Sequence, residues 1–225
     1  MNNKPKVLLS WSGGKDSSLT LYEIQKQGVL EIDSLVTTVT ADYDRVSMHG
    51  LRNTLLHEQV KSLNLPLEKV VISKGATNQE YEQSWTKSLS KYKEKGIDTV
   101  AFGDLYLEDI RQYRIDQLSK IGMKCIFPIW KKDTSKLARS FVKWGFKAIT
   151  VCVDSKVLSK EFVGREYDNQ FLDQLPKEID PCGENGEFHT FVYDGPIFNK
   201  VIPHTLGEIV LRDERFYYCD IMPGG

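Results

Sequence analysis

The sequence lacks an excess of charge of either sign. Its 225 residues carry 30 lysines and arginines against 31 aspartates and glutamates, a formal net charge of -1. That balance makes no long-range field that would draw the chain to a polyanion or an anionic membrane, so no nucleic-acid partner is expected beyond a local contact. Long hydrophobic runs are missing as well. None approaches the roughly 20 apolar residues of a membrane span, and the start, MNNKPKVLLSW, runs directly into a strand rather than a signal-peptide core. A cytoplasmic protein with no membrane partner is the expectation. Cysteine is scarce: Cys125, Cys152, Cys182 and Cys219 stand far apart with no Cys-x-x-Cys pair, which excludes a disulfide framework or a zinc knuckle. They read as reduced thiols, Cys125 and Cys152 in buried strands. Internal repeats and low-complexity tracts are absent.

What is present suffices for one sizeable α/β core with a minor appendage, since 40% of the residues are hydrophobic. Short apolar runs alternate with longer amphipathic stretches, the pattern of βαβ units on a parallel sheet. Strands are expected at Val7 to Trp11, Asp33 to Thr40, Lys69 to Ser73, Thr99 to Gly103, Lys124 to Phe127 and Ala148 to Val153. Helices are expected near Ser17 to Gln27, Gly50 to Leu63, Asn78 to Lys95, Leu107 to Ile121 and Thr134 to Trp144. Right-handed crossovers place the strand-to-helix loops along one sheet edge. After Asp154 the rhythm breaks into one short helix and, from Val192 to Ile221, short antiparallel strands. The expected organisation is therefore a parallel-sheet region at 1–154 and a smaller C-terminal α+β subdomain at 155–225 packed on it.

The stretch SWSGGKDSSL, Ser10 to Leu19, lies where the first strand meets the first helix. Glycines there let backbone N–H groups and the helix dipole approach an anion without a Cβ in the way. The Walker A pattern is excluded, because Leu9 stands where it needs glycine and Asp16 where it needs Ser or Thr. Asp16 beside a phosphate calls for a divalent cation or a helix-start role. The plain alternative is a helix capped by Ser12 or Asp16 after a tight turn.

Three further segments carry candidates. VAFGDLYLEDIRQYR ends a strand with Gly103 and Asp104, then sets Arg111 and Arg114 into an apolar stripe. An arginine there needs an anion, either Asp104, Glu108 or Asp109 in a structural pair, or a ligand phosphate or carboxylate. In SMHGLRNTLL, Arg52 opens a helix, where a cation opposes the dipole, and His49 is a weaker candidate. In DPCGENGEFHTF, Asn-Gly predicts a two-residue hairpin turn in which Glu184 and Glu187 oppose each other. Two facing carboxylates make sense with a cation between them. Cys182 and His189 nearby raise a metal or a Cys-His nucleophile, for which the remaining ligands or orienting group are missing.

Ser-Gly-Gly-x-Asp-Ser after a first strand resembles the pyrophosphate loop of the N-type ATP pyrophosphatases. Together with FGD followed by Arg, and CGENGEFHTF followed by DGPIF, the chain resembles the diphthine-ammonia ligase family in its short, prokaryotic-type form. The resemblance covers essentially the whole chain. It implies a three-layer α/β fold of the adenine nucleotide alpha hydrolase-like, PP-loop type, with ATP and Mg²⁺ as cofactors. By this resemblance Ser10, Ser12, Gly13, Gly14, Lys15, Asp16, Ser17, Gly103 and Asp104 hold the nucleotide, and Asp16 and Asp104 are the candidate Mg²⁺ ligands. Lys15, Asp16 and Arg111 are the catalytic candidates, and His49, Arg52, Arg114, Glu184, Asn185, Glu187 and Thr190 face the acceptor. The implied reaction adenylates a carboxylate, releases pyrophosphate and lets ammonia displace AMP. Diphthine on elongation factor 2 is the family's acceptor. A chain of this length leaves no room for a glutaminase domain, so free ammonium is the expected nitrogen source, and self-association is left open. Two other readings compete: a tRNA-modifying ATP pyrophosphatase, and a non-catalytic nucleotide sensor of the universal-stress type.

Overall fold

Val7, Leu8 and Leu9 are all buried, as a strand covered on both faces requires. They lie in β1 (Lys6–Ser10), at the centre of the parallel sheet in a computed structural model that describes residues 4–41, the backbone of 45–46, and 50–224. The elements that follow are α1 (Lys15–Gln27), β2 (Glu31–Thr40), β3 (Arg45–Val46), α2 (Asn53–Leu63), β4 (Leu67–Ile72), α3 (Asn78–Glu94), β5 (Thr99–Ala101), α4 (Glu108–Lys120), β6 (Lys124–Ile126) and α5 (Thr134–Lys143). The chain ends with β7 (Lys147–Asp154), a turn of 3-10 helix (Lys160–Phe162), α6 (Asn169–Gln174), β8 (Phe188–Asp194), β9 (His204–Arg212) and β10 (Phe216–Pro223).

The five parallel strands run β4-β2-β1-β5-β6, with β3 antiparallel on the end of β2. Alternate residues divide between two cores, as the two-residue period of a strand dictates. Leu9, Leu35 and Ala101 join the large cluster beneath α1, α2 and α5. Leu8, Val36, Val100 and Phe102 join a smaller one that holds Leu89 of α3 and Leu118 of α4. The expected three-layer α/β architecture is thus present, and the helix bounds fall within a few residues of those read from periodicity.

One strand is a correction. The run Ala148 to Val153 was expected in the parallel sheet, but β7 is a central strand of a second, antiparallel sheet ordered β8-β7-β10-β9. A strand buried on both faces reads as a continuous apolar run in either kind of sheet, so composition did not separate the two. This second sheet packs beside α1 and α2 through β8 and β10. Among the described residues no helix is long and apolar enough to cross a membrane.

Candidate active site

At the junction of β1 and α1 the chain turns through Gly13, whose φ is +82°. Its carbonyl accepts two hydrogen bonds, from Gln59 Nε2 at 2.9 Å and from the Val192 N–H at 2.9 Å. Gln59 is itself fixed, since its Nε2 also donates to the Val192 carbonyl at 2.6 Å and its Oε1 accepts from Trp11 Nε1 at 3.1 Å. A trans peptide points its N–H opposite to its C=O. Pinning the Gly13 carbonyl inward therefore turns the Gly14 N–H away from the core, toward the Ser12 hydroxyl at 3.3 Å.

Gly14 is the N-cap of α1 and makes no side-chain cap, as is so at Arg52 of α2 and Leu107 of α4, whereas α3, α5 and α6 start at Thr77, Asp133 and Asp168 with side chains accepting from the helix backbone. An uncapped helix start leaves amide donors for a ligand. Of those donors, the Lys15 N–H is taken by Thr190 Oγ1 at 3.0 Å. The Ser17 and Ser18 hydroxyls turn back to the Gly14 carbonyl at 3.0 and 2.9 Å. The Ser12 and Ser17 oxygens stand 3.3 Å apart at the mouth of the turn.

Lys15 does not reach outward. Its side chain is 3% exposed, its Nζ lies 2.8 Å from both Asp16 oxygens and 5.6 Å from the centre of the Phe188 ring. Burial works against its charge, but Asp16, with Cys182 and Glu184 behind it, outweighs that and lifts the Lys15 pKa above its ordinary value. Lys15 stays protonated and holds the Asp16 carboxylate beside it.

Gly103 lies beside this turn: a Cβ there would meet the Asp16 carbonyl carbon at 2.9 Å and its oxygen at 3.0 Å, so only glycine allows the two loops to approach. The following segment is held from the other side by Glu184, whose Oε1 accepts from the Leu105 N–H at 2.7 Å and the Tyr106 N–H at 3.3 Å. Burial pushes the Glu184 carboxyl up to about 7, although the two amides pull the other way. Glu187 is 5% exposed and accepts from the amides of Asp180 and Asn185 and from Asn185 Nδ2. The expected two-residue hairpin with opposed glutamates is thus replaced by an irregular turn before β8. Each carboxylate finds its own amides, and nothing about their geometry calls for a cation between them.

The arginines found protein carboxylates. Arg114 forks onto Asp104 at 2.6 and 3.1 Å and stacks on Phe102 at 4.4 Å. Arg111 pairs with Glu108 at 2.6 Å, and its guanidinium lies 5.5 and 5.1 Å from the ring centres of Phe127 and Trp130. Its Nε is buried and has no hydrogen-bond partner. Arg52 forks onto Asp220 of β10 at 3.0 and 2.5 Å. Ser10 ends β1 opposite Val36. His49 lies outside the described residues.

Neither a metal nor a thiol nucleophile finds support at Cys182, whose Sγ lies 3.4 Å from the Thr134 carbonyl and whose pKa burial drives far upward. Burial likewise raises Cys125 and Cys152, each to about 11. Among the described residues no three His, Cys, Asp or Glu side chains converge on a metal position.

Sequence reasoning missed Gln59 and Asp180. Gln59 sits at a buried position of α2 among Leu55, Leu56 and Leu63, and a polar residue inside that stripe was the available signal. Asp180 accepts from the Cys182 N–H at 2.9 Å and so shapes the turn that carries Glu184, a role with no local pattern to reveal it.

Comparison with known proteins adds to this geometry. The family model for the diphthamide synthase N-terminal domain matches residues 5–125, and that for the diphthamide synthase C-terminal domain matches 133–221. The chain is similar to the diphthine–ammonia ligase of Schizosaccharomyces pombe, 26% identical over 234 residues, covering 91% of this chain and 38% of that protein. It is 25% identical over 228 residues to that of Danio rerio, covering 90% of this chain and 88% of that protein. With the Homo sapiens ligase it shares 26% over 130 residues, 55% of this chain and 48% of that protein. The chain therefore spans well under half the length of the fission-yeast relative.

Proposed function

The chain belongs to the diphthamide synthase family, and on that premise we propose that it is an ATP-dependent, amide-forming ligase whose acceptor is a carboxylate like that of diphthine on elongation factor 2. The observation that carries this reading is the Gly13 turn. Its carbonyl is pinned inward and its helix start is left uncapped, so the amides of Asp16 and Ser17 and the Ser12 hydroxyl are disposed to receive the β and γ phosphates.

A carboxylate is a poor acyl donor because its leaving group is oxide. In the proposed reaction an acceptor oxygen attacks the α phosphorus of ATP, pyrophosphate leaves, and an acyl-adenylate forms. Ammonia then attacks the acyl carbon and AMP departs. Ammonium must lose a proton before it attacks, and Glu184 is the carboxyl beside the Gly103 loop that titrates near neutrality, which suits it to accept that proton. This replaces the paired-glutamate reading, since Glu187 is already satisfied by amides. Mg²⁺ is the expected companion of the phosphates. The donor set as it stands does not fit it, because both Asp16 oxygens face Lys15 and both Asp104 oxygens face Arg114.

We also place the divide between the two parts before β7, not at Asp154, because β7 pairs with the C-terminal strands. The function is tested by incubating the chain with ATP, ammonium and candidate acceptors, diphthine-modified elongation factor 2 among them, and following AMP and pyrophosphate. AMP that forms only when all three are present is the expected result. AMP that requires tRNA instead would favour the RNA-modifying reading, and nucleotide binding without any AMP would favour a sensor.

A further inference from the structure

The antiparallel sheet stops at β9, whose outer edge pairs with no strand among the described residues. Exposed edges are usually guarded by proline, lysine or other charged side chains, short length or a bulge, and of these β9 carries a bulge near Gly207 and the charges of Glu208 and Arg212. Strand β9 runs nine residues, HTLGEIVLR, with neither proline nor lysine. Its register with β10 is regular from Arg212 opposite Phe216 to Ile209 opposite Cys219, and resumes at Leu206 opposite Ile221. Three steps on β9 answer two on β10, which marks a bulge in β9. The extra residue shifts the alternation of side chains, so Leu206, Ile209 and Leu211 share one face, the face of Cys219 and Ile221 on β10. On β10 that face is core, with Cys219 5% and Ile221 3% exposed. One strand further out it is open, with Leu206 51%, Ile209 53% and Leu211 50% exposed. The apolar face of the sheet is wider than the elements that cover it.

The opposite face carries charge. Glu208 and Arg212 are exposed and form no ion pair among the described residues, Arg212 only stacking on Tyr218 at 5.4 Å. They have opposite sign and lie four residues apart on one strand.

We propose that β9 pairs antiparallel with β9 of a second copy of this chain, about a two-fold axis through Val210, so that the two four-stranded sheets become continuous. In that register Glu208 of each copy stands opposite Arg212 of the other, and Ile209 opposite Leu211, which widens the apolar row on the other face. The alternatives are poorer. An axis at Glu208 opposes like charges, and one at Ile209 sets Glu208 against Val210. A surface that complements itself in one register only is the mark of an isologous dimer.

Sedimentation equilibrium of the full chain tests this with Glu208→Arg, Arg212→Glu and the double reversal. The wild type is expected to dimerise. Each single reversal turns two attractive cross-strand pairs into repulsive ones and is expected to weaken the dimer roughly tenfold, and the double reversal to restore it. A monomeric wild type, or a dimer indifferent to the single reversals, overturns the proposal. So does a wild type that leaves its own copies apart and pairs β9 with a strand of another protein. A second readout needs no variant: amide exchange along the outer edge of β9 is expected to slow as protein concentration rises, and exchange that ignores concentration overturns the proposal.

Discussion

Between Ser12 and Lys15 the backbone is fixed by neutral groups: a glutamine amide, a threonine hydroxyl and the main chain of β8, all buried. Between Gly103 and Tyr106, one strand away, the fastening is ionic. The Glu184 carboxylate holds two amides, and the Asp104 carboxylate is occupied by Arg114. Neutral buried hydrogen bonds do not answer to pH or to an arriving charge, whereas a carboxylate titrating near 7 answers to both. The contrast teaches that the turn after β1 is built in advance, while the loop after β5 is held by contacts that an arriving carboxylate or cation could exchange.

Substitutions at four positions would break or sharpen that contrast. The largest effect is expected of Gly13→Ala, which combines a left-handed backbone with a Cβ 2.7 Å from Gln59 Oε1 and 2.9 Å from Leu51 Cδ2. A loss of about 2–3 kcal/mol in urea denaturation should accompany loss of AMP formation, and a wild-type midpoint would show that the turn is not preformed. Next comes Thr190→Val, which strands the buried Lys15 N–H and should remove about 1–3 kcal/mol. Thr190→Ser keeps the hydroxyl and should recover most of it by the same measurement.

Glu184→Gln tests the ionic side. The folded carboxyl titrates at about 7 against an ordinary 4.5, so between those values the folded state binds more protons than the unfolded. Stability is then full below about 4.5 and declines as pH rises through about 7. The swing is on the order of 1–2 kcal/mol once solvent screening of the partly exposed side chain is counted. The Gln variant should flatten that slope in denaturation series across the window, and an unchanged slope would remove Glu184 from the account. Smallest is Asp220→Asn. The Arg52–Asp220 pair is partly solvated, at 40% and 23% exposure, and its loss should cost about 0.5–1 kcal/mol in melting experiments. A larger cost would mean that this bridge, rather than the neutral bonds around Gly13, joins the two sheets.

Much of the parallel half was legible because its signals are local. The apolar runs and amphipathic stretches gave the helices nearly to the residue, and Ser12 to Ser17 form one contiguous string at one strand end. What escaped depends on distant partners. The continuous apolar run of β7 fits a parallel or an antiparallel centre equally well, and only β8 and β10 decide between them. Asn185-Gly186 suggested a hairpin, but the segment before it is bound to Asp180 and never forms a strand. Thr190 was placed toward the acceptor by family resemblance alone, and no local pattern shows that its hydroxyl accepts from the Lys15 amide. Arg111 and Arg114 were seen as needing anions, and the structure supplies Glu108 and Asp104 from the same segment.

The hydrogen bond from the Lys15 amide to Thr190 spans 175 positions of the chain. On a ribosome, therefore, the first helix leaves the exit tunnel long before the strand that completes its starting turn has been translated. The turn is encoded first and finished late, so in a nascent chain it stays incomplete until β8 has been translated.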